Sequence, residues 1–249
     1  MHRFTIAPER ISGDRVVFDA DETRHLVRVL RLGLGDLVVA ADGRGHAYRV
    51  RIVGVGDTAT GTIVGAAAAA AESPLAIALV QGIPKGNKME AIIRATTELG
   101  VARIVPALTA RTVVRLDAAG WRERTRRWQR VAKEATKQCG RAVVPLVDAP
   151  RRLAEALGEG EPGDLRLCLW EGEGEPLHAV IAAVESARRG ARVIVGPEGG
   201  LAAEEVALAR ARGYTPVTLG RRVLRTETAG PAIVAILQHR LGDLGTEPR

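Results

Sequence analysis

Residues 192–231, RVIVGPEGGLAAEEVALARARGYTPVTLGRRVLRTETAGP, constrain the fold more than any other stretch. Arg192-Val193-Ile194-Val195 reads as a short buried strand that runs directly into Gly196-Pro197-Glu198-Gly199-Gly200. A helix follows, with Glu204 and Glu205 in its first turn, where acids meet the positive end of the helix dipole, and Gly213 is placed to stop it. Thr215 to Leu219 reads as a second strand, followed by Gly220, the polar turn Arg225-Thr226-Glu227-Thr228 and an apolar helix from about Pro231. Two strands that each end in a glycine loop, each loop opening a helix, belong to an open α/β sheet, whose ligands sit beyond the strand ends. Glycine lets a ligand lie against bare main-chain groups; the same glycines equally serve to turn the chain, and the loop alone does not decide. No Gly-Lys-Ser/Thr follows and no spaced G-x-G-x-x-G is present, so this is neither a Walker loop nor a dinucleotide fingerprint.

Upstream, strand and helix alternate in the same way. Leu75–Gly82 reads as a buried strand, Lys88–Leu99 as a helix with Met89, Ile92, Ile93, Thr96 and Leu99 on one face, and Arg103–Ala107 as the next strand. Leu165–Trp170 is a further strand, ending in Glu171-Gly172 after the polar loop Gly158–Gly163. This alternation predicts a mostly parallel sheet covered by helices. Residues 1–65 differ: short strand patterns at Arg3–Ile6, Arg15–Phe18, Leu37–Ala41, Ala47–Val55 and Thr58–Val64, with turns at 12–14 and 42–45, predict a small β-rich domain. The run Gly65 to Pro74 marks the boundary, giving domains over 1–68 and 75–249.

Two basic faces stand out. In 22–31, Leu26, Val29 and Leu30 recur at helical spacing while Arg24, Arg28 and Arg31 lie opposite. In 121–138, Arg122, Arg126, Arg130, Lys133 and Lys137 form one stripe, and Trp121, Trp128, Val131 and Ala135 another. Each basic face is either solvated surface or an RNA platform. The net charge of +7 favours a polyanionic partner. The two cysteines, Cys139 and Cys168, and the scattered histidines have no metal-ligand spacing, so no metal is expected. No signal-like start and no apolar run of about 20 residues is seen, so a cytoplasmic protein with no membrane association is expected.

The glycine loop, Leu219-Gly220 and Val223-Leu224-Arg225-Thr226-Glu227-Thr228-Ala229, in this order, closely resemble the RsmE family. These are SPOUT-class methyltransferases that act on N3 of a uridine in 16S ribosomal RNA. Pro84-Lys85-Gly86, Glu98-Leu99-Gly100-Val101, the Glu134-Ala135…Gln138…Arg141…Pro145 run and the segment from His25 to Asp42-Gly43 are similar to family motifs as well. One departure is Ala95, where many members carry a lysine.

The resemblance implies an N-terminal PUA-like small β-barrel and a C-terminal SPOUT domain, a mostly parallel sheet with a deep trefoil knot. It implies S-adenosyl-L-methionine held by Leu169, Glu171, Gly196, Pro197, Gly199, Gly200, Leu219, Gly220, Leu224, Thr226, Thr228 and Ala229, with main-chain groups at Leu219, Leu224 and Ala229 reading the adenine. Catalytic candidates are Arg225, Arg111 and Glu198, although Glu198 and Glu227 equally suit a structural role; no proton acceptor is singled out. RNA contacts are expected at Arg24, Arg28, Arg31, Lys85, Gln138 and Arg141. The partner implied is 16S rRNA or the small ribosomal subunit, and the enzyme is expected to be a homodimer, with Ile233, Ile236, Leu237 and Leu241 either at that interface or on their own sheet. Two alternatives remain: a SPOUT ribose 2′-O-methyltransferase on rRNA or tRNA, and a non-catalytic RNA-binding assembly factor.

Overall fold

A computed structural model describes residues 1–68, 72–158, 160, 163–184 and 189–246. Part of the polar loop expected at 158–163 lies outside these residues. The chain forms two compact units, Met1–Glu72 with Lys133–Val144, and Ser73–Ala132 with Pro145–Arg249.

The first unit holds β1 (Arg3–Thr5), β2 (Ile11–Ser12), β3 (Arg15–Val17), α1 (Ala20–Arg24), β4 (Leu37–Ala41), β5 (Ala47–Gly54) and β6 (Thr60–Ala66). They form one mixed sheet in the order β1-β4-β5-β6-β3-β2. The hydrogen-bonded path runs from β1 at one end to β2 at the other, a half-barrel in keeping with the expected PUA-like unit. Its core is Phe4, Ile6, Val16, Phe18, Leu26, Val38, Val50 and Ile52, with Phe4 and Phe18 edge to face at 5.4 Å.

The helical reading of 22–31 holds only in part. After α1 the chain widens into a π-turn over His25–Val29, closed by the Leu30 N–H on the His25 carbonyl. The extra residue in this turn shifts the helical phase, so Leu26 is buried but Val29 is 67% exposed instead of sharing its face. Arg31 ends the turn at φ +56.

The segment Lys133–Val144 also departs from expectation, because it packs with this unit. The Arg3 guanidinium donates to the Gly140 carbonyl. The lysines expected on an open basic stripe are instead engaged: Lys133 lies 3.0 Å and Lys137 3.3 Å from Glu22, whose side chain is 3% exposed. Lys133 also reaches Asp19 and Lys137 reaches Glu134. Removing one partner of so enclosed a group strands the remaining charge, so Glu22→Gln is expected to lower unfolding free energy by about 3 kcal/mol. Urea denaturation checks this, and a loss below about 1 kcal/mol would show that the lysines find other partners.

The second unit contains β7 (Ala76–Gly82), α2 (Lys88–Glu98), β8 (Val101–Leu108), α3 (Ala118–Cys139, its part from Lys133 onward in the first unit), β9 (Leu146–Val147), β10 (Arg151–Arg152), α4 (Leu153–Ala156), β11 (Leu165–Leu169), β12 (Glu175–Pro176), α5 (Leu177–Ala182), β13 (Gly190–Val195), α6 (Ala203–Ala211), β14 (Thr215–Thr218) and α7 (Thr226–Leu241). The strands form a parallel eight-stranded sheet in the order β10-β8-β7-β13-β11-β14-β12, with β9 also on β8. Met89, Ile92, Ile93 and Thr96 of α2 are buried, as their spacing requires. Gly100, at φ +84, ends the helix where a side chain would be strained.

Helix α7 starts five residues before Pro231, so Arg225-Thr226-Glu227-Thr228 is its N-cap and first turn rather than a free loop. Proline at the first helical position is the commoner arrangement, and that preference misplaces the start here. Ile233 and Leu237 are fully buried within the unit, whereas Ile236 is exposed.

Candidate active site

Three strands that adjoin in the sheet, β13, β11 and β14, point the same way and end at the same edge. Beyond their ends lie the turns 169–171, 196–200 and 219–225, which together wall a cavity of about 450 Å³. That size falls in the range of small-molecule sites. The floor is apolar, from Leu169, Val195, Leu201 and Val217. The rim is charged, from Lys88, Glu171, Glu198, Arg221, Arg222, Arg225 and Glu227.

Of the residues singled out in the sequence, Leu169, Glu171, Gly196, Pro197, Glu198, Gly200, Leu219, Gly220, Leu224, Arg225, Thr226 and Ala229 all line this cavity. Gly199 and Thr228 do not. Gly199 turns its carbonyl to the Arg111 guanidinium, and Thr228 is exposed on the outer side of α7. The Ala229 N–H also cannot read a ligand edge, because it closes the first turn of α7 on the Arg225 carbonyl. Residues 219–224 all line the cavity, and among the described residues no turn or loop hydrogen bond engages their main chain. A planar heterocycle with alternating donors and acceptors fits that strip.

The glycine loop is held from below. The buried Gln81 amide donates to the Thr226 hydroxyl at 2.9 Å and to the Gly82 carbonyl, and Thr226 donates to the Gly196 carbonyl at 2.7 Å. A Cβ on Gly196 would sit 2.8 Å from the Gly200 carbonyl carbon, so the loop's curvature requires glycine there. Gly200 adopts φ +71, a second position where any side chain would be strained.

Glu198 is not poised as a base. Its carboxylate accepts the Lys85 N–H at 3.1 Å and pairs with the Lys88 ammonium at 3.1 Å. Burial alone would raise its pKa, but its own N–H, Lys88 and the Lys85 N–H outweigh this and hold it below the usual carboxylate value. It therefore stays ionised at neutral pH and accepts a proton only in acid, which favours the structural of its two roles. Cys168, buried beside Leu169, is no nucleophile either, since desolvation pushes its thiol up to about 12. Lys88 reads in the sequence only as a helix start, and its place on the rim is invisible there. Trp170 likewise reads only as the end of a strand, yet it too lines the cavity.

The expected RNA contacts are split between the units. Arg24, Arg28, Arg31 and Gln138 are exposed on the first, and the Lys85 side chain is exposed on the second. Arg141 is corrected: it is 7% exposed and grips Glu72 through both Nε and an Nη at 3.0 and 2.6 Å, so it is an internal tie. Among the described residues no group of three His, Cys, Asp or Glu is placed to hold a metal ion, and no helix is long and apolar enough to cross a membrane.

Residues 71–238 match the family of RNA methyltransferase domains, and residues 18–63 match the RNA methyltransferase PUA domain. The chain is 34% identical to ribosomal RNA small subunit methyltransferase E of Synechocystis sp. over 94% of its length and 76% of the relative's. It is 32% identical to the Bacillus subtilis protein of the same name, over 84% of each. Among solved structures it resembles ribosomal RNA small subunit methyltransferase E of Neisseria gonorrhoeae bound to S-adenosyl methionine, with a TM-score of 0.88 at 32% identity over 98% of this chain and 99% of that one. A Legionella pneumophila methyltransferase in complex with the same cofactor gives 0.89 at 30% identity over 97% and 98%. Similarity on this scale, running through both units and through every turn of the cavity, places the chain in the ribosomal RNA small subunit methyltransferase E family.

Proposed function

We propose that the protein methylates N3 of a uridine in small-subunit ribosomal RNA, using S-adenosylmethionine. The observation that carries this reading is the cavity of bare main chain beyond β11, β13 and β14, in a chain of this family. Its residues fit the cofactor. An open main-chain strip at 219–224 suits the adenine edge, the apolar floor suits its faces, and Gly196 and Gly200 leave room for the ribose and methionine parts. The return of the chain from β14 through 219–225 into α7 is read as the knotted segment of the SPOUT fold.

When bound, the cofactor supplies an electrophilic methyl group. The chain's residues must then place a uracil ring against it, help remove the N3 proton and balance the charge that reaches the carbonyl oxygens. Arg225 is the residue assigned to that charge, because it lines the cavity and, among the described residues, its side chain has no hydrogen-bond or ion-pair partner. Arg111 shapes the loop through Gly199 instead. Arg24, Arg28, Arg31 and Gln138 on the PUA-like unit, and Lys85 on the other, are assigned to the RNA backbone, where arginine and lysine neutralise phosphate. The target base must leave its stack to reach the cavity, so a single-stranded or flipped uridine is the substrate.

The functional form is taken as a homodimer acting in the cytoplasm, with exposed Ile236 at the subunit contact. The test is incubation with S-adenosylmethionine and small subunits lacking the modification, then mass spectrometry of the digested rRNA. One methyl on a uracil base at N3 is expected. A methyl on a ribose hydroxyl would replace this reading with the 2′-O one, and calorimetry showing no cofactor binding would favour a non-catalytic assembly factor.

A further inference from the structure

Lys88 is the first residue of α2, and it lies on the cavity rim between two carboxylates from different segments. Its ammonium is 3.1 Å from Glu198 of the glycine loop and 3.3 Å from Glu227 in the first turn of α7. Glu198 is fastened a second time, through the Lys85 N–H just before α2. One cation thus ties together the three segments that form this side of the cavity, and two of them carry cofactor-facing main chain. Take the ammonium away, and the two carboxylates lose the cation between them, with the Lys85 N–H left to hold Glu198. The segments bearing them would separate and the cavity would widen.

We propose that Lys88 is a positioning residue for cofactor binding, which sets the spacing of the glycine loop and the start of α7 by bridging Glu198 and Glu227. It acts through those two carboxylates and not by touching the cofactor. The assignment rests on the reading of the cavity as the S-adenosylmethionine site. Supporting it, the two carboxylates raise the Lys88 pKa and Lys88 helps to lower that of Glu198, so this ammonium and this carboxylate are both charged across the neutral range.

The test is titration calorimetry of the full chain with S-adenosylmethionine, without RNA. Lys88→Met is expected to weaken binding at least tenfold, and Lys88→Arg to stay within about threefold of wild type. The discriminating arm is Lys88→Met with Glu227→Gln, which removes one of the two carboxylates left without their cation and is expected to recover most of the lost affinity. If Lys88→Met binds as wild type does, or if the double variant is no better than the single, the positioning role is overturned; the second result would mean that the ammonium meets the cofactor directly. Thermal unfolding of each variant separates a loosened cavity from a failed fold, because a positioning role predicts lost affinity without a matching loss of Tm. Should wild type itself bind no cofactor, the proposed function falls, a result distinct from any of these.

Discussion

Replacing Arg225 with alanine is expected to lower kcat by about 10²- to 10³-fold while leaving S-adenosylmethionine affinity within a few-fold of wild type, the scale seen when a preorganised donor to developing charge is removed. The main chain explains why the effect should be confined to chemistry. Arg225 caps α7 through its carbonyl, which accepts the N–H groups of Thr228 and Ala229, and its side chain makes no capping bond. Alanine keeps that carbonyl and so keeps the helix start. Lost is the side chain proposed to meet a uracil oxygen as N3 is deprotonated, at a residue that lines the cavity. Lysine should restore only part of the rate, because a point charge cannot reproduce the planar fork. Arg111→Ala should behave differently, because its guanidinium holds the Gly199 carbonyl; its cost should appear in cofactor affinity. Single-turnover kinetics on small subunits with saturating cofactor read the first effect and calorimetry the second. An Arg225→Ala enzyme that keeps more than a third of wild-type kcat would remove Arg225 from the chemistry.

The contrast between the two arginines marks where sequence reasoning stops. The strands and their glycine turns are legible, since alternation, buried apolar runs and glycine positions are local properties of the chain. The three turns at 169–171, 196–200 and 219–225 accordingly fall on the expected strand ends. Charge partners are not local. Lys133 and Lys137 read as a solvated or RNA-facing stripe, because nothing near them in the chain shows that Glu22, more than a hundred residues earlier, meets them under cover. Arg141 is misplaced in the same way by Glu72. Val29 fails for a different reason, since a single π-turn breaks the period on which its burial is inferred. Lys88 shows the converse: a residue of no evident interest becomes central once α2, the glycine loop and α7 are brought together.

Gly82 supplies the steric counterpart. It ends β7, and a Cβ there would lie 2.6 Å from Pro197 Cδ, 2.7 Å from Pro197 N and 3.0 Å from the Gly196 carbonyl carbon. Two of these three atoms are backbone and the third is in a rigid ring, so no side chain can swing aside to make room. Gly82→Val must displace the loop 196–198, and with it the Gly196 carbonyl that Thr226 holds and the Glu198 carboxylate that Lys88 holds. Overpacking of this kind costs about 1–3 kcal/mol of stability. The expected loss of cofactor affinity is larger, about a hundredfold or more, because the displaced atoms are the cavity wall itself and a shift of about 1 Å at a preorganised site is enough to cost that much. Gly33→Ala is the matched control, since a Cβ there meets nothing within 4 Å, and it should bind as wild type does. Calorimetry alongside urea denaturation separates the two effects. A Gly82→Val protein that folds and binds S-adenosylmethionine within threefold of wild type would mean that the cofactor does not lie against the glycine loop, and its site would have to be sought elsewhere on the sheet.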